Sequence, residues 1–568
     1  MKKKEQKAGY EHVIPDIEDW PIYKLSQDRR NFIAEIDQFI TDRFMRQPTP
    51  KLTDILSKTI YLERIRMKEE PWKVDPPNER QFWRKIRNQL MGQSLDRSEE
   101  EARRTNEELL RKIVHRYSEE IVGTFQKGTF LFARRFLTLF FTRLLNTAAS
   151  RNWRRFWGSK HRLQDRLLVR GHVETIRALM KKGTVVIVPT HFSNLDSILI
   201  GYALDSFVGL PSFSYGAGLN LYNTGYTAYF MNRLGAYRVD RRKKNPIYLE
   251  VLKGMSKLSI QRGVNSLFFP GGTRSRSGAL ETKLKLGLMS TAVEAQRAIY
   301  EEGRQEKVFI CPLILGYHFV LEGQFLIDQH LKRMGKERYM QSRDEFYSFR
   351  KLTKFIWQFF SQENDITLSF GQPMDVLGNY VDADGRSFDQ YGNEINLEEY
   401  FYTVGKVTKN LQRESEYTKR LGERIVERYF KDNIVLTSHL VAFAAFQIVK
   451  NKNSRLDLYG ILRLPADDYV FPRSTMREVV GQLRQRLIDM ADAGEVKLSE
   501  QVMYDVDQLI EDGISRLGTY HIAKPLRFNK KGQIISESFK VLYFYHNRLT
   551  GYGLEEKVQW KQFDLEMV

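Results

Sequence analysis

The segment Pro189-Thr190-His191-Phe192-Ser193-Asn194-Leu195-Asp196 sets an imidazole five residues ahead of a carboxylate, between an apolar run and a second apolar run at 197–204. If the first run is a strand and the second a helix, the aspartate falls in the helix's first turn and can reach back to the histidine. An aspartate held on one ring nitrogen leaves the other to accept a proton, which makes a general base. A plainer reading covers part of the pattern: Ser193 with Asp196 three residues on matches the S/T-x-x-D capping signature and needs no chemistry. It leaves His191 without a role.

Two further segments have the composition of anion sites. Gly235-Ala236-Tyr237-Arg238-Val239-Asp240-Arg241-Arg242 and Phe268-Phe269-Pro270-Gly271-Gly272-Thr273-Arg274-Ser275-Arg276-Ser277-Gly278 each join glycine to arginine. Glycine admits positive φ and lets backbone N–H groups approach an anion, while guanidinium forks match phosphate oxygens in pairs. A basic surface turn and an Arg-Ser segment of the RNA-binding kind are the alternatives. Cys311 could be imagined as a nucleophile, but it lies inside the apolar run 308–315, where a buried neutral thiol is expected. The Asp-rich stretch 382–394 fails the calcium-loop spacing, because Gly385 comes too early and Arg386 takes a ligand's place. A hairpin or surface turn is expected there, and no metal.

Such residues need rigid supports. Apolar runs at 185–188, 267–269, 308–315 and 366–370 predict buried strands, and helical spacing at 197–205, 246–261 and 284–302 predicts helices, the second closing at Gly263 as a C-cap. The alternation predicts an α/β sheet. Residues 24–150 read mainly as helices, broken at Glu70-Pro71 and Asp75-Pro76-Pro77, and helices are expected again over 397–450 and through a mostly helical tail. The expected division is a helical N-terminal region at 1–150, an α/β domain with a mixed sheet flanked by helices at 151–375, and a mostly helical C-terminal region at 376–568.

Composition narrows the setting. With 568 residues, 42% hydrophobic and 12% aromatic, the chain is long enough for several units and able to bury their cores. One cysteine excludes an internal disulfide and a thiolate zinc cluster, and fits a cytoplasmic, reducing compartment. Residues 1–4 are basic but no apolar run follows, so no secretory signal is expected. The formal charge is +20, and 134–182 alone holds thirteen basic residues against Asp165 and Glu174, a net of +11. Cations so concentrated call for an anionic partner: nucleic acid, acidic lipid or a phosphorylated substrate. No window approaches 18 uninterrupted apolar residues; 128–149 is broken by Arg134, Arg135 and Arg143, so no spanning helix is expected. Residues 130–145 followed by the tryptophan-bearing basic stretch 151–157 have what an interfacial helix needs, with a core helix of the N-terminal bundle as the equal alternative.

The order in which these segments occur, His191/Asp196, then Gly235 to Arg241, then Gly-Gly-Thr-Arg-Ser, then the strand with Pro312 (Val308-Phe309-Ile310-Cys311-Pro312-Leu313), resembles the four acyltransferase blocks of the glycerolipid acyltransferase superfamily over about residues 170–375. Gly235 to Arg241 and the late segment Leu542-Tyr543-Phe544-Tyr545-His546-Asn547-Arg548-Leu549 look more like its large glycerol-3-phosphate acyltransferases than the short lysophosphatidate enzymes. The resemblance implies His191 as general base and Asp196 as its orienting partner. It implies Arg241, Arg274 and Ser275 as contacts to an acceptor phosphate, in a loop with Gly272 and Thr273, and Pro312 as a residue shaping the pocket.

Two positions depart from the family pattern. Gly271 stands where a glutamate usually precedes Gly-Thr-Arg, so that carboxylate is absent or supplied from elsewhere. Phe192 stands where glycerol-3-phosphate enzymes often carry a basic residue, which keeps a lysophosphatidate acceptor open. What the resemblance implies is acyl transfer from acyl-CoA or acyl carrier protein to a glycerol-phosphate hydroxyl, without cofactor or acyl-enzyme. The setting it implies is peripheral, on the cytoplasmic face of an anionic membrane, with no nucleic acid. Two readings of other classes compete: a nucleic-acid-binding protein, drawing on the basic stretch with Trp153, Phe156 and Trp157, and a non-catalytic membrane scaffold.

Overall fold

The protein is described from a computed structural model over residues 9–92, 98–148, 167–222, 225–335 and 365–560. Residues 151–157, with the basic and tryptophan side chains noted above, lie outside this range.

The run Val185 to Val188 is fully buried. A strand covered on both faces reads as a continuous apolar run rather than an alternating one, and this run is the middle of β2 (Gly183–Pro189). Around it the strands β1 (Leu167–Gly171), β3 (Ser214–Gly218), β4 (Ala236–Val239), β5 (Ser266–Leu267), β6 (Lys307–Tyr317) and β7 (Ile366–Phe370) form one sheet in the order β1-β7-β6-β2-β5-β3-β4. β6, β2, β5, β3 and β4 run parallel, while β7 is antiparallel to β6 and β1 runs parallel to β7. The sheet is therefore mixed, as expected. β3 (Ser-Tyr-Gly-Ala-Gly) and β4 (Ala-Tyr-Arg-Val) lack an apolar run, which is why sequence pattern passes over them.

The flanking helices form where their spacing places them, at Asp196–Ser206, Pro246–Gln261 and Leu286–Glu301. The second begins with Asn245 accepting the Tyr248 N–H at 2.8 Å and a proline at its first position, and ends before Gly263 at φ +82°.

Four N-terminal helices, Arg29–Met45, Thr49–Glu69, Glu79–Met91 and Glu99–Ile121, the second and third parted at the predicted prolines, enclose their own core. That core takes in Tyr248, Val251 and Met255 of the Pro246–Gln261 helix, which docks the bundle on the sheet. The Lys127–Ala148 helix follows. Among the described residues no helix is long and apolar enough to cross a membrane.

The Asp-rich stretch is an antiparallel meander, Tyr380–Val381, Ser387–Phe388 and Glu394–Ile395. Its aspartates close the turns: Asp382 accepts the N–H groups of Asp384 and Arg386, each at 2.9 Å, and Asp389 those of Tyr391 and Asn393. The helix expected from residue 397 begins later. A short turn and the hairpin Tyr402–Thr403/Lys406–Val407 come first, then helices Leu411–Lys431, Thr437–Lys452, Arg473–Asp492, Val506–Arg516 and Phe539–His546. These share one continuous core with the sheet.

Candidate active site

Because β2, β4, β5 and β6 are parallel, the loops that leave their carboxyl ends open at one edge, the edge at which open α/β sheets bind ligands. His191 follows β2, Arg241 follows β4, the Gly271-Gly272 loop follows β5, and Glu322 follows β6.

Asp196 is fully buried at the first position of its helix, where the unpaired N–H groups favour an anion. Its Oδ2 lies 2.8 Å from His191 Nδ1 and accepts the Phe192 and Ser193 N–H groups at 2.7 and 2.9 Å. Its Oδ1 accepts the Tyr317 hydroxyl at 2.6 Å. Burial first, and the neighbouring Asp196 second, push the Tyr317 phenol well up, so it stays a donor. With Nδ1–H facing the carboxylate, Nε2 is the nitrogen left to take a proton. The imidazole stacks on Phe269, ring centroids 4.1 Å apart, and keeps 16% of its side chain exposed. The capping pair forms only by half. Asp196 accepts the Ser193 N–H, but the Ser193 hydroxyl donates to Glu322 at 3.0 Å and the helix starts at Asp196 itself.

The loop after β5 is bonded to His191 directly, the Ser275 N–H donating to the His191 carbonyl at 2.7 Å. Gly272 takes φ +75°, a conformation that favours glycine, with Thr273 partly exposed behind it. The Ser275 hydroxyl donates to Ala279 O at 2.7 Å and so braces the loop. Arg274 pairs with Glu322 at 3.1 Å. Arg241 is exposed, yet its proton affinity is lowered, by desolvation first and by the charge of Arg274 second. Arg276 is lowered likewise, by desolvation and then by Arg333, Arg274 and Arg241. Arg274 is thus paired with Glu322, Arg276 donates to Gln329 at 3.0 Å, and the three cations repel one another across the loop.

Of the second motif, Arg241 alone turns to this basin. Arg242 pairs with Asp240 at 2.7 Å and with Asp75, and Lys243 is buried against Glu120, so both tie the sheet to the N-terminal bundle. Pro312 lies within β6, opposite Val188, three residues below His191 in the strand leading to it. Cys311 is buried beside it, and burial pushes its thiol far up.

Four further residues complete the site, three of them outside any motif. Glu322 accepts from Ser193 Oγ and the Asn194 N–H, each at 3.0 Å, as well as from Arg274, and so couples the base loop to the anion loop. Glu281 Oε1 accepts the His191 N–H at 3.1 Å, and a Cβ built on Gly271 would meet Glu281 Cγ at 3.1 Å. A carboxylate from ten residues later thus lies where a side chain at 271 would begin. Arg548 is buried over the Phe192 ring at 4.3 Å and donates to Leu315 O and Asn433 Oδ1; burial lowers it to about 10. Tyr317 completes the set. For Arg548 the late segment around Leu542 was the signal, whereas no spacing marks Glu281 or Glu322.

The His191–Asp196 pair and the arginines thus lie together on the carboxyl edge of the parallel strands. Residues 170–316 match the family model described as Acyltransferase, and this part of the chain is similar to glycerol-3-phosphate acyltransferases. It is 26% identical over 290 residues to a glycerol-3-phosphate acyltransferase of Pseudomonas fluorescens (strain Pf0-1), a match covering 51% of this chain and 31% of that one. It is 27% identical over 290 residues to one of Pseudomonas syringae pv. syringae, with the same coverage, and 28% identical over 217 residues to one of Pseudoalteromonas atlantica, covering 38% and 24%. The chain thus spans about a third or less of the length of these curated relatives.

Proposed function

We propose that this protein is an O-acyltransferase that moves a fatty acyl group from a thioester donor to a hydroxyl of glycerol 3-phosphate, an early step of phospholipid biosynthesis. The observation that carries the reading is the bond from Ser275 N–H to His191 O, which joins the general base to the arginine loop in one rigid piece. A phosphate on Arg241, Arg274 and Arg276 brings its own hydroxyl to the histidine. His191 Nε2 removes the hydroxyl proton as the oxygen attacks the thioester carbonyl carbon. The C–S bond then breaks, and the leaving thiolate takes the proton back from the imidazolium steadied by Asp196. General-base help of this kind contributes about a hundred- to ten-thousandfold, and positioning by the arginines supplies much of the rest. An apolar cavity lined by Phe130, Leu137, Ile198, Tyr202 and Phe213 beside the helix that Asp196 begins supports an acyl donor.

The relatives' names favour glycerol 3-phosphate as acceptor. Phe192 favours lysophosphatidate as a second reading, since its ring is buried and offers the acceptor no charge. Acylation assays with glycerol 3-phosphate, dihydroxyacetone phosphate and lysophosphatidate, each with acyl-CoA and acyl carrier protein as donor, test both. No transfer to any of the three sinks the proposal.

We also propose peripheral attachment to the cytoplasmic face of an anionic membrane. Phe132 and Phe136 of the Lys127–Ala148 helix are exposed, and the basic stretch 151–157 follows that helix in the sequence. Each lysine or arginine near such a surface contributes on the order of 1 kcal/mol, screened by salt. Co-sedimentation with acidic vesicles should be strong at low salt, weak at high salt, and reduced in a variant with Arg151, Arg154 and Arg155 changed to glutamine. Equal binding by the variant excludes that stretch as the anchor.

A further inference from the structure

Arg241 keeps its place against a repulsion. Desolvation first, and the charge of Arg274 second, lower its proton affinity, so the two cations push each other apart across the loop after β5. The end of β4 must be held against that push, and part of the hold comes from far away in the chain. On one side of Arg241 the Asp240 N–H donates to the Tyr248 hydroxyl at 2.7 Å. On the other side stands Arg242. Its guanidinium forks onto Asp240 at 2.7 and 2.9 Å, donates to Glu70 O at 2.8 Å and to Asp75 Oδ1, and lies over the Trp72 ring, 5.2 Å from its centroid. Glu70, Trp72 and Asp75 belong to the proline-bearing loop between the helices Thr49–Glu69 and Glu79–Met91. Asp75 is itself fixed there, accepting the Trp72 N–H at 2.9 Å and Arg66 at 3.0 Å. The Arg242 and Asp75 side chains keep only 10% and 16% of their surface exposed, so solvent and salt screen this pair less than a surface pair. With its donors taken up inside the chain, Arg242 holds the strand end and leaves the ligand to its neighbour.

We infer that Asp75 is a positioning residue of the site: through Arg242 it fixes the end of β4 so that Arg241 faces the Arg274 loop and meets the acceptor phosphate. The inference rests on the acyltransferase reading above. It gives the N-terminal helical region a part in acceptor binding, although that region lies outside residues 170–316. It also divides three consecutive cations by task. Arg242 answers to Asp75 and Lys243 to Glu120, while Arg241 has no carboxylate partner among the described residues.

Steady-state kinetics on full-chain variants tests this, with the melting temperature of each recorded. Asp75→Asn removes the charge that Arg242 meets. It should raise the KM for glycerol 3-phosphate about tenfold, with kcat and the donor KM within about twofold of wild type. Arg242→Lys, which keeps the charge and loses the fork, should raise the same constant. The decisive comparison is made in an Arg241→Ala background. With the positioned side chain gone, Asp75→Asn should raise the acceptor KM no further, so the two effects do not multiply. A role in folding alone would instead lower melting temperature and kcat to the same degree whether or not Arg241 is present. An acceptor KM unchanged in Asp75→Asn and in Arg242→Lys, or effects of Asp75→Asn and Arg241→Ala that multiply in full, overturns the inference and leaves the acyltransferase reading in place. Should Asp75→Asn fail to fold, Arg242→Lys in the two backgrounds decides in the same way. A wild-type protein that does not acylate glycerol 3-phosphate overturns the reading and the inference together.

Discussion

Asp196 meets four donors with two oxygens, and each bond has a different consequence. The bond to His191 sets the tautomer, the two backbone bonds fold the turn, and the Tyr317 bond fixes the carboxylate against the end of β6. His191→Ala and Asp196→Asn should therefore each cut kcat by about a hundred- to ten-thousandfold at matched thermal stability. Tyr317→Phe should cost less, since the carboxylate keeps its other partners. A full-rate His191→Ala protein would remove the histidine from the mechanism. The arginines act on binding. Lysine in place of Arg241 or Arg274 keeps the charge and loses the fork, so KM for the acceptor should rise while KM for the donor moves little. Equal damage to both constants would mean that these arginines are structural.

At the scale of elements, the loop after β5 is gripped from two sides. His191 holds Ser275 from the sheet, while Asn547 donates to Ser277 O at 2.9 Å from the C-terminal segment. Gly278, at φ +86°, lies so close under Phe544 O that an added Cβ would sit 2.1 Å from it. Glu281 ends this loop with its carboxyl raised from 4.5 to about 7 by burial. The folded protein then binds a proton that the unfolded chain has released, across pH 4.5 to 7. Glu281 thus contributes stability that is fully present below pH 4.5 and lost as pH rises through 7, by an amount on the order of 3 kcal/mol at most. Glu281→Gln lacks this slope. Its melting temperature relative to wild type should climb between pH 4.5 and 7.5, and parallel melting curves across that range would show that the carboxyl is not held in its raised state.

For the whole molecule, the C-terminal region is part of the core of the α/β sheet. In the Thr437–Lys452 helix, Leu440, Val441, Phe443, Phe446, Ile448 and Val449 are all buried. At about 2 kcal/mol for each such side chain, their burial is on the order of 10 kcal/mol, as large as the net stability of a typical domain. Tyr429 donates to Val188 O at 2.9 Å, and His439, kept neutral at a pKa of about 3 by burial, holds Tyr317 O at 3.1 Å. A chain ended after residue 375 should therefore be insoluble or lack a cooperative melting transition. A soluble, cooperatively melting 1–375 fragment would show that the sheet is sufficient without these helices.

The basic stretch 134–182 shows how a charge count divides in the folded chain. Among the described residues, Arg134 forks onto Asp205 at 2.6 and 2.8 Å, Arg177 reaches the Val208 carbonyl, and Lys182 meets Asp384 at 3.2 Å. With Arg170 against Glu500 at 3.6 Å, these cations are paired within the chain, which composition alone does not reveal.

Sequence by itself determined the central strands, the three helices that flank them, the His191/Asp196 pair and the arginine loop. Each of these is written in a local period or in a short motif, and both survive reading one segment at a time. The tertiary structure alone decided which arginine of the second motif turns toward the loop after β5, that Ser275 braces that loop, and that Glu281, Glu322 and Arg548 lie against the 191–194 turn. Those contacts join residues 90, 128 and more than 300 positions apart, through side chains whose partners are chosen by packing. Strands β3 and β4 belong with them, because their burial comes from neighbours laid over them and their own residues carry no apolar period.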